Sequence, residues 1–244
     1  MANNELNLNL SNLLKNNPDL HVAQTFITKE CTEATPEISL KDRYLSASAV
    51  LLGCGGQNAY RIISNVALKA GICPVALQET CYQAIDYLGL GRVLPFITIL
   101  NEEMLSNGIS LPLESQATTT EDDRLEKGNA KQVELFGPGL KESWLSAPDD
   151  RKVINKFLAA NCFGDYYTRT GLDNRERELI TFCFNYAQGG ADPQTTAHAL
   201  ANINSGNSPE YLVQIVNANV GWIGYPRSLN AISCIEAAAA KLNK

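Results

Sequence analysis

"SGNSPEYLVQIVNANVGWIGYPRSLNA", residues 205–231, holds a helix start, an apolar helix and an abrupt stop in one short run. Ser208-Pro209-Glu210 is the start: serine caps exposed amides and proline suits the first helical position. Gly221 to Gly224 end that helix, and Pro226 begins another that runs through the alanines at 237–240. A shorter copy, "AGICPVALQETCYQAIDYLGLGRVL", stands at 70–94. A gap-free shift of 135 residues pairs Gly55 with Gly190, Gly71 with Gly206, Pro74 with Pro209, Gly89 with Gly224, Arg92 with Arg227, and Tyr87 with Trp222. Glycines and proline thus mark the same helix boundaries twice, the signature of an internal repeat.

Upstream of 205 the pattern is also helical. Asp173 and Glu176 make a capping box for a helix whose Leu179, Phe182, Cys183 and Tyr186 recur at helical spacing. Asp192-Pro193 opens the next. No convincing period-2 strand occurs, so the expected fold is all-α, built as two tandem helical repeats. The expected organisation is an N-terminal arm at 1–37 with "LSNLL" as a short helix, a first repeat at 38–107, a linker with connecting helices at 108–163, and a second repeat at 164–242. Within the linker, a helix is expected from about Glu121. Another spans Pro148 to Phe163, with Val153, Ile154, Phe157, Leu158 and Cys162 on one face.

Composition excludes several classes. A net charge of −6 and the lack of a basic run argue against nucleic acid as a partner. The apolar stretches "SASAVLLG" and "VLPFITIL" are far shorter than the roughly 20 residues of a bilayer span. "MANNELNLNLSNLLKNNPDL" does not read as a signal peptide, so a cytoplasmic location is expected. Seven cysteines, odd in number and without a Cys-x-x-Cys, read as buried thiols rather than a disulfide framework or zinc ribbon. With only His21 and His198, a histidine-rich metal site is excluded by count.

Polar residues form stripes on three helices of the second unit: Glu178, Thr181 and Asn185; Thr195, His198 and Asn202; Gln214 and Asn217. These stripes are nearly free of charge after Glu178, unlike an ordinary solvated face, and so suggest a shared polar pocket. His198 is its natural centre, because imidazole donates or accepts a proton near neutrality. Glu178 is placed to orient that ring. The 135-residue shift puts Ile63 at the equivalent of His198. The first unit, with Asn58, Arg61, Asn65, Gln78, Glu79 and Gln83, is then either structural or lends groups to a neighbouring site.

"RTGLDNRERELITF", His198 some twenty residues on, and "GNSPEYLVQIVNANVGWIGYPRSLNA" together resemble the carboxymuconolactone decarboxylase family, within the alkylhydroperoxidase D-like superfamily. The likeness is clearest over about 157–236 and weaker over 38–107, and is strongest to tandem-repeat members. It implies an all-helical homo-oligomer: single-repeat relatives form hexameric rings, so a tandem chain implies a trimer. It also implies cofactor-free decarboxylation of a small carboxylated lactone or acid, a carboxy-lyase activity. In that reading His198 and Glu178 are catalytic, and Trp222, Arg177, Arg169, Asn202 and Thr181 bind substrate; Arg227 is a further candidate for its carboxylates. Trp222 stands where the family has tyrosine. The superfamily's other activity, thiol peroxidation, uses a Cys-x-x-Cys whose second cysteine lies four residues before the histidine. Here those places hold Ala191 and Gln194, so a peroxidase would need Cys54 or Cys183 acting alone. A non-enzymatic oligomeric scaffold is the third reading.

Overall fold

In a computed structural model, which describes residues 10–242, every regular element among the described residues is helical. The N-terminal part is α1 (Ser11–Asn16), α2 (Leu20–Thr25), a π-helical turn (Phe26–Glu30) and α3 (Cys31–Glu33). Then come α4 (Leu40–Cys54), α5 (Gln57–Lys69), α6 (Pro74–Leu88) and α7 (Leu90–Ser106). The connection carries α8 (Arg124–Phe136), a short 3-10 turn (Pro138–Leu140), α9 (Ser143–Ser146), α10 (Lys152–Phe157) and a second π-helical segment (Leu158–Tyr167). The chain closes with α11 (Asn174–Gln188), α12 (Asp192–Asn204), α13 (Pro209–Ile223) and α14 (Tyr225–Leu242). The all-α expectation holds. Residues 1–9 of the expected arm lie outside the described residues.

The starts of α5, α6 and α7 recur at α12, α13 and α14 after 135 residues, but α4 recurs at α11 after 134. The glycines that close α4 and α11 are therefore Gly55 and Gly189, at φ 77° and 76°. A gap-free shift still finds a glycine at 190 because the second run carries the doublet Gly189-Gly190 and then one extra residue, Ala191. The 134-residue register also pairs two buried arginines. Arg43 and Arg177, each the fourth residue of its helix and 1% exposed, donate through Nη2 to the carbonyl eight residues upstream. Those carbonyls belong to Thr35 and Arg169, each at 2.8 Å. In the first run the acceptor Thr35 and the π-helical turn that matches Leu158–Tyr167 lie upstream of residue 38, inside the expected arm.

Helices α4 and α11 form the centre and are buried along almost their full length. Leu45, Leu51 and Leu52 share one continuous core with Leu179, Phe182 and Phe184. Gly53 sets their spacing: a Cβ there would lie 2.8 Å from Ala187 Cβ and 2.9 Å from the Phe184 carbonyl oxygen. Helix α6 packs on both central helices, α4 of its own run and α11 of the other, and α13 packs on α4. Gln83 Nε2 donates to Thr181 Oγ1 at 3.1 Å across the α6–α11 contact, and Asn219 Nδ2 donates to Ser46 Oγ at 3.1 Å across the α13–α4 contact.

Local signals read as expected at Asp173 and Glu176, which form both halves of a capping box, and at Ser208, which caps α13. Other expectations are corrected. Gly221 lies within α13 rather than ending it; its missing Cβ leaves room for Ile27, which would otherwise stand 2.4 Å away. The third polar stripe is split, since Gln214 is half-buried with its Oε1 inside and Asn217 is exposed. The expected helix from Pro148 divides into α10 and π-helical winding, and nothing among the described residues covers the face of Val153, Ile154 and Phe157. Val153, Ile154 and Phe157 are 62%, 63% and 59% exposed, while Cys162 is buried.

Helix α8 meets the second π-helical segment backbone to backbone. A Cβ on Gly128 would fall 2.0 Å from the Ala159 carbonyl oxygen. Gly128→Ala should therefore force the backbones apart and lower stability by about 1–3 kcal/mol in urea denaturation. Gly91→Ala, in α7 with open space around the new methyl, should leave stability unchanged or raise it by up to about 1 kcal/mol.

Candidate active site

Glu178 lies in the middle of α11 and is 0% exposed. An unpaired carboxylate there would cost several kcal/mol. His198, on α12 and 7% exposed, meets it with Nδ1 2.8 Å from Oε2. A carboxylate can only accept, so Nδ1–H donates and Nε2 remains as the outward-facing nitrogen of the ring. Glu178 Oε1 is buried and has no hydrogen-bond partner among the described residues. One oxygen thus fixes the imidazole and the other is a vacant acceptor.

Asn202, one turn after His198, ties the pair's backbones together. Its Nδ2 donates to the carbonyls of Glu178 and His198, both at 2.7 Å, and its Oδ1 accepts from Asn207 Nδ2 at 2.7 Å. Asn207 in turn accepts from Arg175 at 2.9 Å, and Arg175 pairs with Asp42 of α4. Asn202 is expected from the sequence to contact substrate; its hydrogen-bonding capacity instead goes into clamping α11 to α12.

Two rings pack edge-on against His198: Tyr87 of α6 at 5.3 Å and Phe136 of α8 at 5.5 Å. Trp222 is not among the rings on His198; that place belongs to Tyr87, its counterpart 135 residues earlier. Tyr87 OH shares a 2.9 Å hydrogen bond with Tyr167 OH, and Tyr167 OH one of 3.1 Å with Thr181 Oγ1. Burial pushes both phenols well above their ordinary range, and the Glu178 carboxylate adds to the effect. Both therefore stay protonated and able to donate. Thr181 is fully buried, and serves this hydroxyl chain together with Gln83.

Of the expected arginines, Arg169 and Arg177 gather around Glu79, and Gln83 links Arg177 to the Thr181 end of the hydroxyl chain. Arg177 donates to Gln83 Oε1 at 2.6 Å and to Glu79 Oε2 at 3.1 Å, and Arg169 holds Glu79 through Nε and Nη2. Arg227 donates to the Ala187 carbonyl and so fastens α14 to the end of α11. Sequence reasoning singled out Glu178 and His198, which the structure brings together. It missed Tyr87, Phe136 and Tyr167; the pairing of Tyr87 with Trp222 was the available signal for the first. Among the described residues, no group of three or more His, Cys, Asp or Glu side chains is placed to hold a metal ion.

No family model matches the chain, and no curated protein matches it.

Next to Tyr87, Asp86 has its Oδ2 buried without a partner. Burial pushes this carboxyl up from 3.8 to about 8, with the Cys162 thiol beside it pulling the other way. The folded chain therefore holds a proton that the unfolded chain has lost between those limits. Stability should fall as pH rises through this window, by at most about 1.4 kcal/mol per pH unit from this group. Asp86→Asn should remove that part of the slope. Its urea midpoint should exceed the wild type's at about pH 8 and approach it at about pH 4, where both side chains are neutral.

Proposed function

We propose that the chain is a carboxymuconolactone decarboxylase-like carboxy-lyase, acting without a cofactor on a small carboxylated lactone or acid. The observation that carries this reading is the buried Glu178–His198 pair, with its vacant carboxylate oxygen, among protonated tyrosine hydroxyls. The reaction needs three things. The electron pair left by departing CO2 must be accepted, the resulting carbanion must be protonated at carbon, and water must be kept from the charged intermediate. A lactone carbonyl conjugated to that carbon takes up the electrons as an enolate. The Tyr87 hydroxyl, when it accepts from Tyr167, keeps its own proton free and is a donor suited to that oxygen. His198 carries the proton to carbon through Nε2, and Glu178 at Nδ1 holds the ring and balances its charge when it is doubly protonated. Tyr87 and Phe136 flank the ring and limit solvent.

A thiol reaction has less support. Cys183 is raised far above the ordinary thiol range by burial, Cys81 is pushed up to about 12, and half-buried Cys54 is raised as well. A thiolate nucleophile needs the opposite environment.

His198→Ala should abolish CO2 release from γ-carboxymuconolactone or a related carboxylated lactone, with kcat down about 100-fold or more. Replacement of all seven cysteines by serine or alanine, in a variant that still folds, should leave that activity in place. Lack of turnover or ligand-induced stabilisation across a panel of such acids would instead favour a scaffold.

The reading also makes the protein a homotrimer in a reducing, cytoplasmic setting. Its support is the uncovered face of Val153, Ile154, Phe157 and Leu158, an apolar patch of the kind that marks a protein interface. Light scattering should give a trimer for the wild type, and Val153→Asp/Phe157→Asp should shift it toward monomer.

A further inference from the structure

Helix α6 presents two faces. Glu79, Gln83 and Tyr87 point toward α11 and its surroundings, as their contacts with Arg177, Thr181 and His198 show. Gln78, Tyr82 and Ile85, at i, i+4 and i+7, line a different groove of about 420 Å³. Its other walls include Leu113 and Ser115 from the connection after α7, and Tyr166 and Arg169 from the end of the second π-helical segment. That volume suits a small organic ligand.

The charge at the inner end of the groove is unbalanced. Glu79, fully buried, is in contact with two guanidiniums, those of Arg169 and Arg177, and no other carboxylate among the described residues pairs with either. The trio carries a net positive charge in a site with little water, and burial together with repulsion from Arg169 pulls Arg177 below its ordinary range. Three acids adjacent in sequence to the walls do not pair with the trio. Asp165 is engaged by Arg124 at 2.6 Å, Asp86 is neutral below about pH 8, and Glu114, between Leu113 and Ser115, is exposed to solvent. Arg169 also has a spare edge. Its bonds to Glu79 use Nε and Nη2, leaving Nη1, and its guanidinium lies 5.0 Å from the centre of the Tyr82 ring.

We propose that this groove is a second ligand site, for a small monocarboxylate carried on a planar apolar body. The carboxylate would pair with the Nη1 edge of Arg169 and neutralise the trio. Its planar body would lie between the Tyr82 and Tyr166 side of the groove and Ile85 and Leu113. Gln78 and Ser115 would supply hydrogen bonds at the rim. The site is separate from the Glu178–His198 pair and does not depend on the reaction proposed for it.

The test uses 4-fluorobenzoate and the uncharged 4-fluorobenzamide on the full chain, followed by fluorine NMR and by thermal shift. The expected result is that 4-fluorobenzoate binds at millimolar or lower concentration and raises Tm, with the amide at least about tenfold weaker. Arg169→Met should weaken benzoate binding by about tenfold or more. Because that variant leaves Glu79 less well paired and can misfold, Ser115→Trp provides an independent check by filling the groove while keeping the Arg169–Glu79 bonds. It should abolish binding, whereas His198→Gln should leave it unchanged. Absence of benzoate binding, equal binding of the amide, or full binding by folded Ser115→Trp overturns the proposal. Loss in His198→Gln with retention in Ser115→Trp places the benzoate at the other site, and equally overturns it.

Discussion

The close contact of α4 with α11 is the constraint on which the rest of the molecule depends. Two helices buried on nearly all sides have no solvent face to orient them, so their separation is set by side-chain size where they meet. Gly53 against Ala187 and the Phe184 carbonyl makes that separation small. The short distance lets α6 rest on α11, and α13 on α4, so that each run of helices is finished by the other. A methyl group at position 53 would have no room unless the two central helices moved apart, and the crossing helices would lose their seating with them.

The same geometry explains how a charged residue is tolerated at the centre. Glu178 is held by a histidine from its own run, while Tyr87 arrives from the opposite run and Phe136 from the connection between them. Asn202 and Asn207 satisfy backbone carbonyls and each other, which removes the cost of burying several polar groups at once. The outcome is a rigid polar cluster in an apolar block. The oxygen left vacant on Glu178 is conspicuous because so much around it is satisfied.

The sequence made the helical class legible through capping residues and glycines, because those signals act within a few positions of the chain. It also made Glu178 and His198 legible as partners, since their stripes on adjacent helices were too polar for an inward face and too uncharged for an outward one. What it hid was set by long-range contact. Tyr87 and Phe136 reach His198 from elements separated from it by 111 and 62 residues, and no local pattern encodes that approach. The single extra residue before α12 was masked by a glycine doublet. Asn202, Thr181 and Arg177 carry polar groups that read equally well as ligand contacts or as internal fastenings, and each has hydrogen-bond partners within the chain. The apolar spacing of Val153, Ile154 and Phe157 is legible in the sequence, but periodicity says nothing about what covers it, nor that Cys162 on the same expected face is buried.

The packing of α6 on α11 and of α13 on α4 has a consequence for how the chain tolerates being divided. A fragment ending after α7 would carry Tyr87 without an imidazole to pack against, and one beginning at α11 would carry the imidazole without Tyr87. Neither piece encloses a finished interior, because the surface that α6 covers on α11 belongs to the other piece. Covalent linkage therefore acts as a local-concentration device. It keeps two mutually dependent halves together, and lets the first half, which carries Ile63 at the position matching His198, furnish the Tyr87 ring that packs on that imidazole.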